Sequence, residues 1–171
     1  TGVVRPFSCA AWIASIHRGI DVARAAGTAH VAGCTGATSE RVVQELHGLA
    51  DHAMLDMGDF AGGMLKYLKK NPVSRLTIGG GIGKITKLAQ GAMDLHSSRS
   101  QVDFGDLAAR FRCAEVANMA TALQVSEEVG PEMSGWVADT ARRKVAEFLG
   151  GSVDVDIIVI DRAGTILARA E

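Results

Sequence analysis

Along this chain the spacing of apolar residues changes several times, and each change marks the boundary of an element. Trp12, Ile16, Ile20 and Ala23 recur at helical spacing behind Ser8, a favourable N-cap, and the pattern stops near Gly27. The next run, His30-Val31-Ala32-Gly33-Cys34, is short and continuous like a buried strand. It breaks at Thr35-Gly36-Ala37, and Thr38-Ser39-Glu40 opens a helical pattern carrying Val42, Val43 and Leu46. This strand, glycine turn and helix then recur. Ala53 to Met57 reads as a buried strand, Gly58-Asp59 as a turn, and Phe60 to Lys70 as a helix with a basic last turn. In the third copy Arg75 to Ile78 is the strand, Gly79 to Gly83 a glycine loop and Lys84 to Met93 the helix.

Beyond Asp103 the pattern is helical over Phe104 to Arg112 and Ala114 to Val125. A longer helix begins at Pro131 and ends at Gly150-Gly151. Two last apolar runs, Val155 to Ile160 and Thr165 to Ala168, flank Asp161-Arg162-Ala163-Gly164, which suits a hairpin turn, and Thr1 to Pro6 reads as an extended opening. Strands alternating with helices pair in parallel through crossovers that place helices on both faces of a sheet. The expected fold is α/β, a Rossmann-like three-layer sandwich with a mainly parallel sheet and an antiparallel C-terminal edge, in one domain over residues 1–171.

Composition removes several classes of function. With 18 basic and 19 acidic residues the net charge is −1, so no global field draws the chain to nucleic acid or to an anionic membrane. No apolar run approaches the roughly 20 residues that span a bilayer. Cys9, Cys34 and Cys113 are odd in number and far apart, which argues for free thiols in a reducing compartment; together with the absence of a charged and apolar leader this predicts the cytoplasm.

Four segments carry candidate chemistry. Gly79, Gly80, Gly81 and Gly83, followed by Lys84, stand between a strand and a helix, where backbone N–H groups can approach an anion or a nucleotide. The cluster is neither a P-loop, which would need Gly at Ile78 and a hydroxyl at Ile85, nor a dinucleotide fingerprint, whose last glycine is replaced by Lys84. Close helix–strand packing is the competing use of these glycines, while Lys84 and Lys87 flank the same helix entrance. Asp56, at the tip of its strand, suits the hydroxyls of a ribose. Asp59, beyond Gly58, is either part of that site or a helix N-cap. Thr35-Gly36, with Thr38 and Ser39, suits the carboxylate end of an amino-acid-like ligand, or else Thr38 or Ser39 caps the next helix. The fourth segment, Asp94 to Arg99, offers His96 as a base and Arg99 as a cation, with a surface or capping role as the alternative for His96. The five histidines show no H-E-x-x-H spacing and the cysteines no C-x-x-C pair, so no protein-bound metal is expected; no G-x-S-x-G elbow is present.

In order and wording these segments resemble one family, CbiD, the cobalt-precorrin-5B C-1 methyltransferases of the anaerobic cobalamin route. The resemblance is carried by Thr1 to Pro6 with Ser8 and Trp12, by Thr35-Gly36 with Ser39-Glu40, by Met57 to Gly62, and by Gly79 to Lys84 with Lys87 to Gly91 and Asp94 to Ser97. It implies a methyltransferase that uses S-adenosylmethionine and acts on a cobalt-containing tetrapyrrole, with other corrin-pathway enzymes as further partners. It also implies that Asp56 meets the ribose of the methyl donor, that the Gly79 to Gly83 loop and the Thr35-Gly36 turn meet the rest of it, and that Lys84, Lys87 and Arg99 bind carboxylates of the macrocycle. Family members carry a further N-terminal domain, and the Thr1-Gly2 start resembles the tail of their G-T-T-G segment, so that domain is expected to be missing here. A noncatalytic nucleotide- or tetrapyrrole-binding module is the alternative reading, and an enzyme of phosphate esters a third.

Overall fold

The computed structural model describes residues 8–171; the extended opening expected over 1–6 lies outside the described residues. The first helix, α1 (Cys9–Ala25), starts where Ser8 Oγ accepts from the Ala11 N–H at 3.1 Å, and it buries Ile16, Ile20 and Ala23. Then come β1 (His30–Cys34), α2 (Ala37–His47), a 3-10 turn at Asp51–Ala53, β2 (Met54–Asp56) and α3 (Ala61–Lys70). Next are β3 (Arg75–Gly81), α4 (Ile82–Ala89) and α5 (Phe104–Phe111), and after a 3-10 turn at Ala114–Asn118, α6 (Ala122–Val129). The long helix α7 (Pro131–Leu149) has proline in its first turn and Gly150 in the left-handed conformation at its end. A hairpin of β4 (Asp154–Ile160) and β5 (Ile166–Ala170) completes the chain.

The five strands form one sheet in the order β2-β1-β3-β4-β5, parallel except for the antiparallel β4–β5 edge. The α/β class, the parallel sheet and its antiparallel edge therefore stand as expected. The two helical layers are unequal. On one face Val31, Leu76, Ile78, Ile157 and Val159 pack against α1, α3, α4 and α7 in a single large core. On the other, Ala32, Cys34, Ile158 and Ile160 meet Val42 and Val43 of α2, with the partly buried Leu49 and Met54 packed against them. Each fully buried Leu or Ile, such as Leu65, Leu68 and Ile78, contributes about 2 kcal/mol of desolvation.

Several expected boundaries move, among them the helix expected over Lys84 to Met93, which is Ile82–Ala89. The third strand does not stop at Ile78, because Gly79, Gly80 and Gly81 continue its pairing, opposite Ile158, Val159 and Ile160 of β4. There is thus no glycine loop; β3 passes directly into α4. The second helix begins at Ala37 on a Gly36 N-cap without a side-chain cap, so neither Thr38 nor Ser39 caps it; Ser39 Oγ instead donates to the Gly36 carbonyl at 2.8 Å. The segment expected as one helical pattern over Ala114 to Val125 is a 3-10 turn followed by a new helix, started by a capping box between Thr121 and Gln124.

Candidate functional site

After β1 the chain crosses outward to β2, then returns past β1 to β3, so the connections leaving β1 and β3 run in opposite directions. Such a switch point opens a crevice at the carboxyl ends of the strands, the usual ligand site of open α/β sheets. Here that crevice holds a cleft of about 590 Å³. Its walls are the β1–α2 turn at Thr35 to Ser39, the β3–α4 junction at Gly81 to Lys84, the start of α6 at Thr121 to Leu123, and the β4–β5 turn with Ile160, Asp161 and Arg162.

The chemistry of these walls follows from the local sequence. Both α2 and α4 have glycine at the N-cap, Gly36 and Gly81, and neither makes a side-chain cap bond, so backbone N–H groups at both starts are available to an anion. A Cβ built at Gly36, Gly81 or Gly83 would meet nothing within 4 Å, so these three positions leave the approach open. Ile82, Leu123 and Ile160 supply apolar surface. Asp161 organises its own turn, because its Oδ1 accepts from the N–H groups of Ala163 and Thr165, both at 2.8 Å. The bond from Thr165 leads in holding that carboxyl below its ordinary range. Arg162 is exposed beside it and, among the described residues, makes no ion pair.

The residues singled out from sequence divide into those at the crevice and those away from it. Thr35, Gly36, Gly81, Gly83 and Lys84 line the cleft. Gly79 and Gly80 do not, and they serve packing: a Cβ at Gly79 would lie 2.5 Å from Val43 Cγ2, and one at Gly80 2.8 Å from Ile85 Cδ1 and from Thr35. Asp56 is exposed at the end of β2, one strand beyond the crevice, and its carbonyl accepts from Trp12 Nε1 at 2.8 Å. Gly58 has φ +56° and sits against Trp12. Asp59 is not an N-cap, since α3 starts from Phe60 without one; its Oδ1 is 3.0 Å from Lys84 Nζ, an ion pair off the hydrogen-bonding axis. Lys87 Nζ donates to the Leu95 carbonyl at 2.9 Å. His96 Nδ1 pairs with Ser98 Oγ at 2.8 Å in an exposed turn that also carries Arg99, and neither residue lines the cleft.

Sequence reasoning passed over two groups. The cleft walls at Thr121 to Leu123 and at Arg162 had local signals, a T-x-x-Q capping box and a hairpin turn, but nothing that tied either to β1. The second group is a polar network on the α2 face, formed by His30, His47, Thr77, Asp156, Arg75, Arg169 and Glu171. Asp156, 1% exposed, takes His47 Nε2 at 2.8 Å, Thr77 Oγ1 at 3.2 Å, Arg75 Nη2 at 3.4 Å and Arg169 Nε at 3.3 Å. Thr77 spends its only proton on Asp156 and so accepts from His30 Nε2 at 2.8 Å. Burial, then the neighbouring His47 and Arg75, lower the pKa of His30 to about 4. Thr77 is four residues from Gly81 along β3, about 13 Å at the usual strand rise, so the network lies away from the crevice. An aspartate inside the apolar run Val155 to Ile160 was its one visible signal. Near the crevice, burial pushes the Cys34 thiol up to about 12.

The order of the strands and the cleft at their switch point define a doubly wound α/β protein with an open cleft at the carboxyl edge of its sheet. Residues 94–171 match the family profile described as CbiD, C-terminal domain. Along 99% of its length it is 55% identical to proteins named cobalt-precorrin-5B C(1)-methyltransferase from Brucella canis, Brucella suis biovar 1 and Brucella abortus strain S19, covering 49% of each. The chain thus spans about half the length of the curated relatives it matches. No solved structure matches it. Among the described residues no helix is long and apolar enough to cross a membrane.

Proposed function

We propose that this chain is part of a cobalt-precorrin-5B C(1)-methyltransferase and that the cleft between β1 and β3 receives its methyl donor, S-adenosylmethionine. The reaction is that named for relatives 55% identical to the chain, and the observation that supports this reading of the cleft is the pair of glycine-capped helix starts facing it. Bound there, S-adenosylmethionine supplies a methyl group on a positively charged sulfonium. The backbone N–H groups at the starts of α2 and α4, together with Arg162, take the carboxylate of its amino-acid end. Ile82, Leu123 and Ile160 take the adenine face. The volume of about 590 Å³ lies within the range of sites for molecules of this size.

The acceptor is an electron-rich macrocycle bearing several carboxylates, so the task of the protein is positioning more than acid–base chemistry. Arg99, exposed beside His96 on the loop after α4, is the cation assigned to one of those carboxylates. Lys84 and Lys87 are already bonded to the protein, and Asp56 lies outside the cleft, so the donor site is assigned without them. Calorimetric titration with S-adenosylhomocysteine, the product left after methyl transfer, tests the placement. The chain should bind it, and Arg162→Ala should weaken binding by about tenfold, the ordinary worth of one charge-assisted hydrogen bond. A cooperatively folded chain that does not bind, or an Arg162→Ala variant that binds as the parent does, would overturn the placement.

A further inference from the structure

We propose that Lys84 is a positioning residue: it holds the two walls of the crevice together and does not itself read the charge of a ligand. The inference rests on the cleft being the donor site. Its ammonium donates to the Thr35 carbonyl at 3.0 Å and lies 3.0 Å from Asp59 Oδ1. Thr35 begins the β1–α2 connection and is fixed to β3 by its own N–H, which donates to the Gly79 carbonyl at 3.0 Å. Asp59 belongs to the β2–α3 connection, and its carbonyl accepts from Leu95 N at 2.9 Å, while Lys87 from the same helix as Lys84 holds the Leu95 carbonyl. Three successive strand–helix connections therefore meet on one ammonium group.

Two further observations favour a strut over a receptor. Asp59 Oδ1 is buried and has no hydrogen bond among the described residues, so Lys84 is the cation that keeps this oxygen from being stranded. Lys84 also stands in the first turn of α4, where the helix dipole disfavours a positive charge. A lysine there is locally costly, and its tertiary bonds to Thr35 and Asp59 offset that cost. With one donor on the Thr35 carbonyl and its charge balanced by Asp59 at 3.0 Å, the ammonium presents no net charge to an incoming carboxylate.

The test compares two ligands that share adenosine and differ in the amino-acid carboxylate, S-adenosylhomocysteine and 5′-methylthioadenosine. If Lys84 sets the width of the crevice, Lys84→Met weakens both by the same factor, about tenfold. In an Asp59→Asn background the same change adds less than about twofold, because the two residues act as one unit. Lys84→Arg, whose guanidinium reaches the same oxygens, restores both affinities to within about threefold of the parent. Loss confined to S-adenosylhomocysteine, or full additivity with Asp59→Asn, would overturn the proposal. Should the parent bind neither ligand, the donor-site reading fails and the strut is decided by melting temperatures alone. Non-additive losses for Lys84→Met and Asp59→Asn then support it, and additive ones overturn it.

Discussion

Replacing Gly79 by alanine separates the two uses that a glycine cluster can have. The new Cβ would lie 2.5 Å from Val43 Cγ2, 3.3 Å from Cys34 Sγ and 3.6 Å from the Ser39 carbonyl. Val43 is fully buried in α2, and a β-branched side chain in a helix has essentially one rotamer, so it cannot swing aside. To restore carbon–carbon contact near 3.5–4.0 Å, α2 must retreat from the sheet by about 1 Å. Overpacking of this kind costs about 2 kcal/mol, which in a domain of this size lowers Tm by about 4–8 °C. Because α2 also forms one wall of the crevice, its displacement should weaken S-adenosylhomocysteine as well. Gly83→Ala is the control. Its Cβ meets nothing within 4 Å, and alanine in a helix gains up to about 1 kcal/mol over glycine, so Tm should hold or rise by a few degrees. Affinity should nevertheless fall, since the added methyl enters the cleft. Thermal denaturation followed by circular dichroism decides the matter. A Gly79→Ala variant that melts within about 1 °C of the parent, or below which Gly83→Ala melts, would refute the division of these glycines into packing and ligand positions.

Two further predictions concern the polar network on the α2 face. Asp156→Asn leaves Arg75 and Arg169 without their buried counter-charge; the loss should be about 3 kcal/mol, the low end for a broken buried pair because Glu171 still reaches both arginines. Urea unfolding measures it, and a change below about 0.5 kcal/mol would mean that the network contributes nothing to stability. His30 has a folded-state pKa of about 4 against 6.5 in the unfolded chain, so between these values the unfolded state binds more protons. Stability is full above pH 6.5 and falls as pH drops toward 4, by about 1 kcal/mol once the partial exposure of the ring is allowed for. The difference between the parent and His30→Gln across that window isolates this contribution from the carboxylates, and identical pH profiles would refute it.

Much of the fold was legible residue by residue, because its determinants are local. The Ser8 cap, the helical spacing of Ile16, Ile20 and Ala23, the proline at the start of α7 and the glycine at its end are read within one turn of where they act. Alternation of strands and helices likewise implied a parallel sheet, and the turn at Asp161 to Gly164 implied an antiparallel edge. The Thr35-Gly36 turn and the Gly79 to Lys84 segment were singled out as candidate ligand segments, and the first and the Gly81 to Lys84 end of the second line one cleft. That they face each other depends on β3 pairing beside β1 and not beside β2, a choice made by long-range packing that no local window contains.

The same reason explains what went unread. Gly79 and Gly80 became strand because β4 offered a partner for each, and whether a glycine faces a helix or a cleft is decided by what lies above it. Asp59 exchanged a capping role for an ion pair because Lys84, 25 residues later, is brought to 3.0 Å by the return of the chain past β1. His30, His47, Thr77 and Asp156 are spread over most of the sequence and converge only once β1, β3 and β4 are in register beneath α2. Periodicity, caps and turn residues determined which elements exist, since they act over a few bonds. Tertiary structure decided which elements touch, and therefore which of the candidate residues share a site, since contact between distant residues is settled only by the packing of the whole sheet.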